Sequence, residues 1–223
     1  RFCTMWGMPL LSIPGVEADD VIASVAAWVQ KKEHADVLIC SHDKDLFQLL
    51  GPHTTLFNPS KEIFLSEESF TQEWGITPKQ SIDYLAIVGD ASDNVPGIEG
   101  FGPKTALELL KEWGSLENIY AHIDEIPGKK KEKLLASKEL AFLSRALVVL
   151  DNTIPFPEEL FSQDIHLQEE ETRTFFKEKG FTSLLTFLPS SETVKEQTIL
   201  TPRILASKDE ITAYCHSIPH EGH

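Results

Sequence analysis

No stretch of this chain carries the roughly 18 consecutive apolar residues that a bilayer-spanning helix needs, and none reads as a secretory signal. Cysteine is scarce. Cys3, Cys40 and Cys215 lie far apart with no CxxC pair, which argues against zinc and against a disulfide framework and fits a reducing cytoplasm. Base is in short supply too: 20 Lys and Arg stand against 35 Asp and Glu, a formal charge of −15. Internal repeats and low-complexity segments are absent. What remains is a soluble globular composition, 41% hydrophobic and 25% charged, with enough apolar side chain for a core. The chain opens on Arg1 rather than Met, as expected of a segment of a longer protein.

The shortage of base is uneven. Between Ile126 and Leu150 stand Lys129, Lys130, Lys131, Lys133, Lys138 and Arg145 against only Glu132 and Glu139. A basic run is often a solvated helix face, and it is also what a polyanion needs. Both readings stay open for the lysines from Lys129 to Lys133.

The elements follow from pattern and punctuation. Leu10–Ile13 reads as a short strand ended by Pro14-Gly15, and Glu17-Ala18-Asp19-Asp20 opens an amphipathic helix with Val21, Ile22, Val25, Ala26 and Val29 on one face. Asp36–Cys40 reads as a buried strand, because Val37–Cys40 is continuously apolar, as in parallel sheets. It runs into Ser41-His42-Asp43-Lys44-Asp45 and a helical Leu46–Leu50. Thr55–Phe57 and Glu62–Leu65 flank Asn58-Pro59-Ser60-Lys61, a hairpin signal. Ser66 caps a helix through Trp74, stopped by Gly75, and Thr77-Pro78 starts another that ends at Gly89. Pro103 to Trp113 is helical, with Gly114 past its end. Gly128 to Leu150 forms one or two helices with Leu134, Leu135, Leu140, Ala141, Leu143 and Leu147 as the apolar face. A helix over Glu169–Lys179 precedes Gly180, and the apolar Phe181–Leu188 is expected to pack back onto the first domain. Pro189–Gln197 is linker-like, Thr198–Ala206 reads as a strand, and Ser207 caps a final helix. Helix, strand, acidic loop, helix is an α/β pattern, whose sites lie at the carboxyl ends of strands.

Three acidic clusters each sit at an element end: Glu17/Asp19/Asp20, Asp43/Asp45 and Asp90/Asp93. Acids in a first helical turn also compensate the helix dipole, and an aspartate after a strand also caps a helix. Brought together, carboxylates about 4 Å apart repel by roughly 1 kcal/mol per pair in water and about 4 at an effective dielectric near 20. Cations would relieve that. Oxygen ligands without Cys or His at metal spacing favour hard ions such as Mg²⁺ or Mn²⁺, and two such ions suit phosphodiester cleavage. Directly after Asp90 and Asp93 come Gly97, Gly100-Phe101-Gly102 and Pro103-Lys104-Thr105. A glycine turn feeding a helix N-terminus suits a phosphate, because free N–H groups and the positive dipole end point the same way.

At these residues the chain resembles the 5′-nuclease domain of bacterial DNA polymerase I. The resemblance rests on Gly15–Ile22, Asp43–Leu49, Gly89–Gly97 and Gly102–Ala106, in order and spacing, and runs from about Leu10 to Pro189. It implies a PIN-like α/β nuclease core with a parallel sheet, followed by a helical helix–hairpin–helix module. Residues 1–89 would be the C-terminal part of the core, 90–189 the module with its C-terminal helices, 190–197 a linker and 198–223 the start of a 3′–5′ exonuclease-like domain. It further implies a monomeric 5′–3′ exonuclease and flap endonuclease of the bacterial cytoplasm and nucleoid, with no membrane partner. The substrate would be double-stranded DNA with a 5′ flap, nick or 5′ end.

By motif position Glu17, Asp19, Asp20, Asp43, Asp45, Asp90 and Asp93 take the metal-site roles, with Asp20, Asp43 and Asp90 as catalytic positions. Gly97, Gly100, Gly102, Lys104 and Thr105 take the DNA-gripping role, joined by Lys129–Lys131. Two Mg²⁺ or Mn²⁺ ions are expected at the acids, and K⁺ at the hairpin carbonyls. The family's first-strand aspartate and its basic arch would lie upstream of the Glu17 motif, so this segment is expected to bind metal and DNA but cleave poorly. His42 stands where the family has a small residue. The alternative is a helix–hairpin–helix clamp without catalysis, which has no use for seven acids at element ends.

Overall fold

The computed structural model describes residues 2–32, 34–162 and 166–189. Two compact units emerge, one from residues 17–154 and one from 1–16 with the chain after Ile154. This division falls elsewhere than the boundary expected near residue 89. Residues 190–223, with the expected linker, strand and helix, lie outside the described residues.

The smaller unit pairs α1 (Phe2–Met5) with the later helix over Glu169–Glu178. Phe2 stacks on Phe176 at 6.0 Å, Phe181 meets Phe175 and Phe176 edge-on at 6.4 Å, and the N–H of Gln168 donates to Met5 O at 2.7 Å. Of the apolar Phe181–Leu188 stretch, Phe181 thus meets the helix before it, while Phe187 is left 76% exposed. Leu10–Ile13 forms no strand: Leu10 is 66% exposed and no strand pairs with it, so apolar content alone does not extend the sheet.

In the larger unit α2 spans Ala18–Lys32, opened by Asp19 and Asp20 and closed by Lys31 and Lys32, the charge order its dipole favours. Three strands follow, β1 (Val37–Cys40), β2 (Thr54–Asn58) and β3 (Ile63–Leu65), in spatial order β1-β2-β3. β1 and β2 are parallel, with Val37 opposite Thr54, and β2 and β3 form the expected antiparallel hairpin. The continuous apolar run of β1 is not buried on both faces as expected. Only Ile39 is buried, Leu38 is 44% exposed, and β1 is an edge among the described strands.

Helices complete the unit: α3 (Glu67–Trp74), α4 (Gln80–Val88), α5 (Pro103–Trp113), α6 (Leu116–Ala121), α7 (Lys129–Ala136) and α8 (Lys138–Val148), with α9 the Glu169–Glu178 helix of the other unit. Local chemistry sets their ends. Ser66 and Ser69 form a reciprocal capping box on α3, and Gly75 takes the left-handed conformation after it. Pro103 fills the first position of α5.

α4 is the central helix, with Asp83, Tyr84, Leu85, Ala86 and Ile87 all buried. Asp83 is sustained there by the N–H of Leu116 at 3.1 Å and by Arg145 Nε at 3.1 Å. The buried face of α8 is Ala141, Ser144 and Val148 rather than the leucines. Leu140, Leu143 and Leu147 are 40 to 57% exposed, because small residues let α8 come close to the rest of the unit. No helix of the described residues is long and apolar enough to cross a membrane, and Cys3 and Cys40 are free thiols.

Candidate functional site

Three of the predicted acids converge. Carboxylate oxygens of Asp19, Asp43 and Asp45 lie within 4.8 Å of one another. Asp19 comes from the first turn of α2; Asp43 and Asp45 come from the turn at the carboxyl end of β1, where a parallel pair places its site. That turn is self-supporting: Ser41 Oγ accepts from Asp43 N at 3.1 Å and Asp43 Oδ1 from Asp45 N at 3.1 Å. Below it Leu46 is fully buried and the Phe47 ring packs on Phe70 and Trp74 at 5.3 and 5.6 Å. Gln48, whose partners no sequence signal marked, donates to Asp45 O at 2.8 Å and to Val148 O at 2.9 Å, and accepts from Leu150 N. It ties the acidic turn to the end of α8.

The remaining acids surround this core. Asp90 and Val95 exchange both backbone hydrogen bonds, at 3.0 and 2.8 Å, closing a small loop whose exposed tip carries Asp93. Asp90 Oδ1 accepts from the N–H of Ser92 at 2.9 Å and from its hydroxyl, and Oδ2 pairs with Lys44 at 3.4 Å. The Ser92 bonds first, and then Lys44, hold its carboxyl below the ordinary range. Glu17 is exposed just ahead of α2. Asp20 points elsewhere in part, since its Oδ1 accepts from Asp151 N at 2.8 Å.

The electrostatic cost of the gathering falls on two groups. Burial, then Asp43, Glu17, Asp20 and Asp93, raise Asp19. Burial, then Asp43, Asp93, Asp19 and Asp90, push Asp45 up to about 6. Such a site is short of positive charge, and every converging atom is a carboxylate oxygen, a donor set that fits a hard divalent ion.

The glycine-rich stretch divides into support and exposed turn. Gly97 is buried, its N–H donates to Ser144 Oγ at 3.1 Å, and its Cα lies against the backbone of Val88 and Gly89. It was expected to face DNA, but its one donor is already used inside the protein, so its place is beneath the loop. Gly100 and Gly102 are exposed, with Phe101 buried between them as an anchor. Pro103 has no N–H, Ala106 N already donates to Gly102 O, and Lys104 and Thr105 occupy the intervening positions whose N–H groups a helix start leaves without intrahelical partners. Of the basic run, Lys130 pairs with Glu108 at 3.3 Å and Lys131 with Asp124 at 2.7 Å, while Lys129 is exposed at the start of α7.

Comparison with known proteins gives the family. The 5′-3′ exonuclease N-terminal resolvase-like domain matches residues 1–75, and the 5′-3′ exonuclease C-terminal SAM fold matches residues 76–173. DNA polymerase I of Bacillus caldotenax is 40% identical over 198 residues, covering 84% of this chain and 22% of the polymerase. A 5′-3′ exonuclease of Buchnera aphidicola is 44% identical over 155 residues, covering 66% of this chain and 51% of that protein. The chain thus spans about half the length of such exonucleases and about a fifth of the polymerases.

Among solved structures, T5 5′-exonuclease with bound divalent metal ions (zinc) superposes with a TM-score of 0.57 at 31% identity, over 65% of this chain and 54% of that one. The T5 flap endonuclease in a pseudo-enzyme-product complex with DNA and metal ions gives 0.57 at 29% identity, over 68% and 55%. The catalytic core of Rad2 shares the fold, at 20% identity and a TM-score of 0.53 over 84% and 67%. With two adjoining domain matches that together take in the acidic cluster, the small loop and the hairpin, the chain belongs to the 5′-3′ exonuclease family.

Proposed function

We propose that this chain carries the metal-binding and backbone-gripping parts of a 5′–3′ exonuclease and flap endonuclease of the DNA polymerase I type. The substrate would be duplex DNA with a 5′ end, nick or flap. The observation that carries this is the convergence of Asp19, Asp43 and Asp45 within 4.8 Å. A clamp without catalysis gains nothing from gathering acids where burial, and then their mutual repulsion, push Asp45 up to about 6.

In this reading Asp19, Asp43 and Asp45 hold the ions, and Glu17, Asp90 and Asp93 strengthen the negative field that attracts them. Asp20 divides between that field and its bond to Asp151. Mg²⁺ or Mn²⁺, two per site, would supply a polarised water and neutralise the departing oxygen. The exposed Gly100–Thr105 turn would take backbone phosphates through free N–H groups and the Lys104 charge, with K⁺ as a further bridge at its carbonyls. Such contacts are independent of sequence and weaken steeply with salt. The protein would act as a monomer in the bacterial cytoplasm.

Because the chain spans about half the length of the exonucleases it matches, the test rests on binding more than on turnover. Mn²⁺ titration by calorimetry should show uptake that Asp43→Asn and Asp45→Asn each reduce at least tenfold. Labelled 5′-flap duplex should bind with a steep salt dependence and be cut slowly in Mg²⁺. Mn²⁺ uptake indifferent to both substitutions, together with flap binding indifferent to Mg²⁺, would favour the non-catalytic clamp instead.

A further inference from the structure

Lys133 does what its neighbours in the basic run do not. Lys130 and Lys131 are engaged with carboxylates on α5 and in the short helical turn over Ile123–Glu125. Lys133 instead reaches the glycine turn: its ammonium donates to Glu99 O at 3.2 Å. It lies flat against Gly100, where an added Cβ would stand 2.2 Å from Nζ.

The residues on either side of this contact are fixed. Leu134, the next residue of α7, is fully buried, and its carbonyl accepts from Tyr120 Oη at 3.1 Å, which sets the rotation of the helix. On the loop side Phe101 is buried and its N–H donates to Ile98 O at 3.0 Å, closing the turn that presents Glu99 and Gly100. Gly100 takes φ +78°, a conformation that favours glycine. An ammonium has three donors, and the Glu99 carbonyl uses one of them. The exposed side chain keeps the others toward solvent. A positive charge locked onto a loop carbonyl differs from the mobile charge of an ordinary surface lysine, because its position no longer has to be ordered when an anion arrives.

We propose that Lys133 is a positioning residue of the hairpin: it braces the Glu99–Gly100 turn and adds a fixed positive charge, besides that of Lys104, for a DNA backbone phosphate. This rests on the hairpin being a DNA-backbone grip. In a chain of net charge −15, one cation anchored at that place carries weight that the total charge conceals.

The test is fluorescence anisotropy of a 5′-flap duplex across a KCl series, using the whole chain, Lys133→Met, Lys133→Arg and, for comparison, Lys61→Met, at an exposed lysine of the β2–β3 turn. One lost phosphate contact lowers the slope of log K against log[salt] by about 0.9, which amounts to roughly eightfold weaker binding at 0.1 M salt. Lys133→Met should show both changes. Lys133→Arg should restore the slope, and Lys61→Met should leave it unaltered. A Lys133→Met slope equal to that of the unsubstituted chain overturns the proposal, even if affinity or thermal stability falls, because a purely structural brace releases no counterions. An equal slope change in Lys61→Met overturns it as well, by making the charge unspecific. Failure of the unsubstituted chain to bind the duplex refutes the hairpin grip itself, and Lys133's part with it.

Discussion

The amide of Asp151 donates to Oδ1 of Asp20 at 2.8 Å, joining the start of α2 to the segment that leaves α8. Ser24, one turn further along α2, completes the clasp: its Oγ donates to Asp151 O at 3.1 Å and accepts from Ile154 N at 2.9 Å. Asp20 therefore does structural work that Asp19, its neighbour, does not. Asp20→Asn keeps an acceptor and should unfold in urea near the parent midpoint. Asp20→Ala should lose about 1 kcal/mol, the usual worth of one such bond. Both should weaken Mn²⁺ binding less than Asp45→Asn does, and a larger loss than that substitution causes would move Asp20 into the ligand set.

Asp45, raised to about 6 by burial and neighbouring acids, gives the ion-free protein a particular pH response. A carboxyl whose folded pKa lies above its unfolded value destabilises the fold once ionised. Stability should therefore rise as pH drops from about 7 through 6, and only at lower pH give way to ordinary acid unfolding. Thermal melts in a chelating buffer between pH 5 and 8 would show the trend, and Asp45→Asn should flatten it. Mn²⁺ should show the opposite dependence, binding more weakly below pH 6 as protons compete. A flat profile for the parent would mean that Asp45 ionises normally.

Gly97 and Gly102 look alike in the sequence and should behave differently. A Cβ on Gly97 would meet Gly89 N at 2.6 Å and Val88 C and O at 2.7 Å, at φ +66°. Backbone cannot yield there as a side chain can, so Gly97→Ala should cost at least about 2 kcal/mol in urea unfolding. Gly102 has extended backbone, with nothing within 4 Å of an added Cβ. Gly102→Ala should unfold within about 1 kcal/mol of the parent yet weaken flap-duplex binding by holding the phosphate away. Equal destabilisation by the two would contradict the division between support and exposed turn.

What could be read from the sequence was local. Ser66 with Gly75, and Pro103 with Gly114, bracket helices because caps and glycine conformations act within a few residues, and those helices stand where expected. Asp43 and Asp45 were placed at a strand end for the same reason. Facing and partnership were not legible. Leu140, Leu143 and Leu147 look like part of a core stripe, but of the expected face in α8 only Ala141 is buried, joined by Ser144 and Val148. Gln48 stands in the Asp43–Leu49 motif and Lys133 in the basic run, but each acts through a contact far away in the chain, and nothing nearby names the partner. Asp83, a charge in the middle of the core, reads as a surface residue until Leu116 and Arg145 are brought to it.

The open side of β1 bears on how the isolated chain will behave in a test tube. Bonded along one edge only among the described residues, and with Leu38 exposed, such a strand is a template for another, and pairing through it is second order in protein. Dilution and moderate ionic strength therefore oppose each other in its handling: the first keeps such edges apart, while the second screens the mutual repulsion of a strongly anionic molecule that does the same. Part of that charge lies close by, in the acids gathered at the carboxyl end of β1.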